Sequence, residues 1–255
     1  MTSLSIKRLA VLAYAVAAQA AVSATALAYS NPITVPNEFP IDGVGDPFVL
    51  KHNGTFYLYS SQFDAPGFQY WTSTDLVNWS YGGLASSDPI VKDGYAPEVV
   101  YWNGTFYMYT SPGGGGHYLL TSKSPGGPFT QFGGKLGGSI DGDVFIDDDG
   151  SWFFFDAGGD GLHASRMTSP ASLGADVLLG GVQMGGQWTE GPTVFKRNGI
   201  YYLTSTGNHV LSKGYRVNAI LAISPIAGRY WHRRSTRFSF PWCCLFTHIL
   251  KITES

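Results

Sequence analysis

Residues 46–61 read DPFVLKHNGTFYLYSS, and residues 96–111 read APEVVYWNGTFYMYTS. Two further segments repeat the pattern more loosely: GDVFIDDDGSWFFFDAG at 142–158 and GPTVFKRNGIYYLTSTG at 191–207. Each copy is a short apolar run, a turn dipeptide and an aromatic run of alternating polarity. The dipeptides are Asn53-Gly54, Asn103-Gly104, Asp149-Gly150 and Asn198-Gly199. Asn-Gly or Asp-Gly between such runs marks a β-hairpin, because both central turn positions need positive φ. Successive dipeptides lie 50, 46 and 49 residues apart. Hairpins at a near-constant period of this length predict the blades of a β-propeller.

The spacers supply the remaining strands. YWTSTDLVNWSYGG (70–83) and YLLTSKSPGGPFTQFGG (118–134) each offer a strand, a turn and a further short strand, so about four strands per repeat. The chain has 33 glycines and little helical periodicity, which also favours sheets and tight turns. A jelly roll or sandwich is the alternative architecture, but neither predicts the regular spacing. The alternating aromatics Phe56, Tyr57, Tyr59, Phe106, Tyr107, Tyr109, Tyr201 and Tyr202 are expected to pack between blades rather than to stack on a ligand.

The ends of the 255-residue chain differ from its body. Lys7 and Arg8 precede an Ala-rich apolar run ending in ATALA, with small residues at Ala26 and Ala28. Residues 1–28 therefore read as a cleaved signal peptide, and the run is too short for a membrane span. Sequons at Asn53, Asn78 and Asn103 fit a secreted, extracellular protein. Residues 29–228 carry nine Lys/Arg against 17 Asp/Glu, net −8, which gives no nucleic-acid footprint. Residues 229–255 carry five against one and hold both cysteines, the adjacent Cys243 and Cys244. This tail has no hairpin dipeptide and no acid ahead of a strand. It is expected to be foreign to the propeller, as a read-through intron or shifted frame produces. The domain boundaries are thus 1–28, 29–228 and 229–255.

Acids stand at the head of each repeat: Asp46 in GDPFV, Glu98 in APEVV, Asp141 in SIDGDVF and Glu190 in WTEGPTV. One such acid before Pro or Gly reads as a turn former. Four of them, taken as equivalent points of four repeats, converge where the innermost strands line the channel. Crowded carboxylates separate into an acid and a base, the pair that glycosidic hydrolysis uses.

These motifs, over roughly Pro40 to Val217, resemble the blades of family-43 glycoside hydrolases, with the D-P, I-D-G and E-G-P signatures in order. The resemblance implies an all-β, five-bladed propeller of which this chain represents about four blades. It implies an inverting hydrolase of arabinose- or xylose-containing plant polysaccharide, an α-L-arabinofuranosidase or arabinanase, or alternatively a β-xylosidase. By position, Asp46 is implied as general base, Glu190 as general acid, and Asp141 as the acid that tunes and orients the donor. Glu98 is implied as a wall or structural residue. No cofactor is required; a channel cation is compatible, but no ligand set demands a metal. The expected partner is a polysaccharide or oligosaccharide met by a monomer, without nucleic acid or membrane. A non-catalytic carbohydrate-binding propeller is the reading from another class.

Other residues carry weaker expectations. Asp147, Asp148 and Asp149 are expected to be a solvated turn, and Asp75 and Trp79 to fix a blade turn. Trp71, His209 and Arg216 are candidate substrate contacts.

Overall fold

The turn dipeptides act as read. In the computed structural model, Asn53-Gly54, Asn103-Gly104 and Asn198-Gly199 all have positive φ at both positions. Each closes a hairpin of the first two strands of a sheet. The structure describes residues 34–38, 44–61, 65–179, 189–208, 216–222, 224–225 and 252–254, all within one compact unit. The signal-peptide reading of residues 1–28 and the candidate His209 lie outside the described residues.

Four sheets form the blades of a propeller. Blade 1 contains β1 (Gly45–His52), β2 (Thr55–Ser61), β3 (Phe68–Ser73) and β4 (Ser80–Ser86). Blade 2 contains β5 (Glu98–Trp102), β6 (Thr105–Thr110), β7 (His117–Ser122) and β8 (Thr130–Gly137). Blade 3 contains β9 (Ile140–Ile146), β10 (Trp152–Gly158), β11 (Gly161–Ser169) and β12 (Ser172–Leu178). Blade 4 contains β13 (Thr189–Arg197), β14 (Ile200–Gly207) and β15 (Arg216–Ala222). Neighbouring strands within each blade are antiparallel. First and second strands are largely buried while the fourth strands β4, β8 and β12 are mostly exposed, so the first strands run nearest the axis.

One hairpin departs from the sequence reading. In blade 3, Ile146 pairs with Trp152, so the turn spans Asp147–Ser151 and only Gly150 has positive φ. Asp147 is also not solvated. Its carboxylate accepts from Lys196 Nζ at 2.7 Å and from the Tyr201 hydroxyl at 2.5 Å, which fastens this turn to blade 4. Asp148 is exposed yet lies 2.9 Å from the same ammonium. Asp75 does fix its turn, accepting from the backbone N–H groups of Val77 and Asn78.

Each interface between adjacent blades is a hydrophobic cluster. Phe48, Leu50 and Tyr59 of blade 1 meet Val99, Phe106 and Met108 of blade 2. Val100, Tyr109 and Leu119 of blade 2 meet Val144, Trp152 and Phe154 of blade 3. Phe145, Phe153 and Phe155 of blade 3 meet Val194, Tyr201 and Leu203 of blade 4. Tyr57, Tyr59, Phe106, Tyr107, Tyr109 and Tyr201 are therefore inter-blade packing, while Phe56 packs within blade 1 and Tyr202 stacks on Phe195 of its own blade; burial stabilises by about 1.5–3 kcal/mol for each large side chain. Two tyrosines add a polar stitch: Tyr59 donates its hydroxyl to Pro125 O at 2.5 Å, and Tyr109 to Pro170 O at 2.8 Å. In each case the carbonyl belongs to the following blade, and burial pushes both phenols well above their usual range.

The structure also uses part of the tail. Ile252–Glu254, here β16, lies parallel against β1, pairing Val49 with Ile252. The axial edge of β1 presents unpaired backbone groups, and an added strand satisfies them.

His117 is fully buried beside Phe154, its Nδ1 at 3.2 Å from Gly137 O and its Nε2 without a partner. Burial lowers its pKa from 6.5 to about 4. The unfolded chain thus binds a proton that the folded chain refuses, so stability falls as pH drops from 6.5 toward 4, by up to about 3 kcal/mol from this group. Chemical denaturation across that range should show the loss, and His117→Phe should flatten it; an unchanged slope in the variant would refute this origin.

Candidate active site

Register settles which head residues correspond. Val49, Val99, Val144 and Val194 pair with Leu58, Met108, Phe154 and Leu203, and all four valines are buried equivalents on the first strands. Three residues before each valine stand Asp46, Ala96, Asp141 and Gly191, and each of these has positive φ, between 43° and 59°. The four acids therefore do not occupy one equivalent point. Asp46 and Asp141 correspond, Glu98 stands two residues further along, and Glu190 one residue earlier. Counted from the turn dipeptides, Asp141 matches Glu190 instead of Asp46, because the longer blade-3 turn shifts the count by one residue.

The shared left-handed head position has a physical use. It bends the chain just before the strand, and bulges interrupt the ladder there, between Gly45 and Phe48 and between Glu190 and Thr193. Asp tolerates this conformation better than most residues and glycine adopts it freely, as Gly191 does; Ala96 adopts it at a cost.

The acids contact the next blade's head. Asp141 is buried and its Oδ2 accepts from Gly191 N–H at 3.0 Å, the residue directly after Glu190. The third-blade acid thus fixes the backbone that carries Glu190, itself 9% exposed. Thr206 Oγ1 donates to the Glu190 carbonyl at 3.1 Å. Asp46, half-buried, accepts from Ser61 Oγ at 2.5 Å, and Ser61 Oγ accepts from Ala96 N–H at 2.7 Å. Asp46, Asp141 and Glu190 lie at the same end of blades 1, 3 and 4, on strands nearest the axis.

Glu98 joins blade 2 to blade 3. It is 5% exposed, and its Oε1 accepts from Val144 N–H at 2.9 Å in blade 3. Asp143, which sequence reasoning did not single out, is its blade-3 counterpart and accepts from Val194 N–H of blade 4 at 3.1 Å. The signal was present in the IDGD spelling, since two acids two residues apart on a strand share a face.

Trp71 does not border the site. It is fully buried on β3 in a cluster with Val49, Leu58 and Trp79, and its indole N–H donates to Pro36 O at 2.6 Å. Its size and hydrogen bond serve the core of blade 1. The backbone of Arg216 pairs with Gly207, which pairs in turn with Thr189, so β15 begins at the end of blade 4 that bears Glu190. Beside the head of blade 3, a cavity of about 500 Å³ opens between Gly137–Ser139 and the Gly158–Asp160 turn. Asp156, His163 and Asp176 lie on its wall. His163 is held between Asp160 and Asp176 at 2.8 and 2.7 Å; burial opposes its protonation, but these bonds outweigh it and raise its pKa. Among the described residues no group of three His, Cys, Asp or Glu side chains is arranged to hold a metal ion. No helix among them is long and apolar enough to cross a membrane.

The model of the glycosyl hydrolases family 43 matches residues 38–238, and the chain belongs to that family. It is 30% identical over 178 residues to a non-reducing end α-L-arabinofuranosidase of Bacteroides ovatus, covering 63% of this chain and 33% of that protein. It is 28% identical over 188 residues to a xylosidase/arabinosidase of Butyrivibrio fibrisolvens, covering 62% and 36%. The chain thus spans about a third of the length of these relatives. The crystal structure of a thermostable family-43 glycoside hydrolase superimposes with a TM-score of 0.70 at 30% identity, covering 82% of this chain and 76% of that one.

Glu98→Ala should leave the buried Val144 N–H without its acceptor and cost about 1–3 kcal/mol, read by urea unfolding. Glu98→Gln keeps an acceptor oxygen and should cost less; equal losses would show that the hydrogen bond is not what Glu98 contributes.

Proposed function

We propose that this chain is the propeller of a secreted, monomeric glycosidase that cleaves O-glycosidic bonds in arabinose- or xylose-containing plant polysaccharide. Within that class we favour α-L-arabinofuranosidase or arabinanase activity, and the xylosidase named among the relatives keeps β-xylosidase as the second reading. The observation that carries the proposal is the bond from Gly191 N–H to Asp141, because it ties one carboxylate to the backbone that presents another. Secretion is supported by the basic, apolar and A-x-A succession of residues 1–28.

In the mechanism we propose, Glu190 protonates the departing glycosidic oxygen while Asp46 takes a proton from water attacking the opposite face of the anomeric carbon. Inversion follows from this single displacement, and it needs a gap of about 6.5–9.5 Å between the two carboxyl groups to admit the water. Acids on blades 1 and 4 suit such a gap better than neighbours on one strand. Asp141 keeps Glu190 oriented through Gly191 and adds negative charge, which favours the protonated donor. Both proton transfers are made by side chains, so the mechanism is written without a cofactor.

Nitrophenyl α-L-arabinofuranoside and β-D-xyloside should distinguish the two substrate readings. Asp46→Asn and Glu190→Gln should each lower turnover by about 10²–10⁴-fold. Retained turnover in either variant would overturn that residue's role. Arabinoxylan binding with no hydrolysis of either glycoside by the unmodified chain would favour a carbohydrate-binding propeller instead.

A further inference from the structure

The heads of blades 1 and 3 share one geometry with a single difference. In blade 3, Asp141 takes the next blade's head N–H directly, from Gly191. The residue opposite its neighbour Ile140 across the hairpin is Ala157, which has no hydroxyl. In blade 1 the matching place, opposite Gly45, holds Ser61. Its hydroxyl stands between the two partners that meet directly in blade 3: the head N–H of the following blade, here Ala96, and the head carboxylate, here Asp46.

A serine hydroxyl carries one proton and two lone pairs. Ala96 N–H occupies a lone pair at 2.7 Å, and Asp46 Oδ2 lies 2.5 Å away with no proton to give when ionised, so the hydroxyl proton points at the carboxylate. Ser61 is 6% exposed and Ala96 3%, so little water competes for these groups. A donor aimed at a carboxylate favours its charged form. It also restricts rotation of the carboxylate about its last bond, because one oxygen is tethered to the junction between blades 1 and 2.

We propose that Ser61 is a positioning residue for Asp46, orienting its carboxylate toward the channel and holding it ionised. The inference rests on the reading of Asp46 as the base. A base must be deprotonated before water arrives, and it must present a fixed oxygen to that water. Ser61 meets both needs from the second strand of the blade, and its anchor on Ala96 makes the site sensitive to the seating of blade 2 on blade 1.

The test reads the Asp46 carboxyl directly. The full chain, labelled with ¹³C at aspartate side-chain carboxyls, is titrated by NMR, and Asp46→Asn identifies the Asp46 signal by its disappearance. In Ser61→Ala the Asp46 midpoint should rise by about one pH unit, the scale of one hydrogen bond to a charged group. Ser61→Thr, which keeps the hydroxyl, should return it close to its starting value. Should the alanine variant unfold, Ser61→Cys keeps the volume with a weaker donor and should still give an upward shift. An Asp46 midpoint unmoved in the folded alanine or cysteine variant would overturn the proposal. Turnover of Asp46→Asn tests the base assignment separately. Intact turnover there would remove the base role and leave the titration result standing, so the two readings fail independently.

Discussion

The structure depends on one repeated contact, in which a polar side chain of one blade accepts a backbone N–H from the head or first strand of the next. Asp141 takes Gly191, Asp143 takes Val194, Glu98 takes Val144, and Ser61 takes Ala96. The constraint behind it is steric. A first strand pairs with the second strand along one edge, and N–H groups on its other edge face the neighbouring blade. Such groups are buried and must be satisfied from outside the sheet. Short acidic or hydroxyl side chains are the acceptors that reach.

That solution also places acids near the axis. The carboxylates of Glu98, Asp141 and Asp143 each join one blade to the next, so a structural need draws acids to the first strands. Two of the four first-strand acids named from the sequence face opposite demands. Glu98 is spent on Val144 and serves the seam, while Asp46 meets the seam only through Ser61. The Ser61 hydroxyl, not the carboxylate, accepts the backbone N–H of Ala96. Away from the axis the blades are joined by apolar clusters and by tyrosine hydroxyls on proline carbonyls, which fix blade orientation without charge. The ion pair of Lys196 with Asp147 plays the same part at the opposite, turn end of blades 3 and 4.

Much of the fold was legible because it is written in local physics. Asn-Gly pairs with alternating aromatics specify hairpins wherever they occur, and their period specifies blades. Asp75 fixed its turn for the reasons that Asp usually does. Reading failed where register or distant neighbours decided. Asp147 looked like a loop acid because its partners, Lys196 and Tyr201, lie a blade away. Trp71 looked like an aromatic free to meet sugar, but β3 turns it inward onto Val49 and Leu58. Ile252–Glu254 lies in a basic stretch without propeller spelling, and it pairs with β1 only because that edge is open to it.

By itself, then, the sequence determined the hairpins, their number, and the presence of an acid near each strand head, since turn propensity and side-chain alternation act over a few residues. It also carried the family's signatures. Only the tertiary structure decided which partner each acid meets. A carboxylate two residues further along a strand meets a different N–H, and an alanine or serine across the hairpin decides whether the contact is direct or relayed. Those differences depend on which backbone groups the neighbouring blade brings within about 3 Å, the reach of a hydrogen bond, and no local pattern encodes that distance.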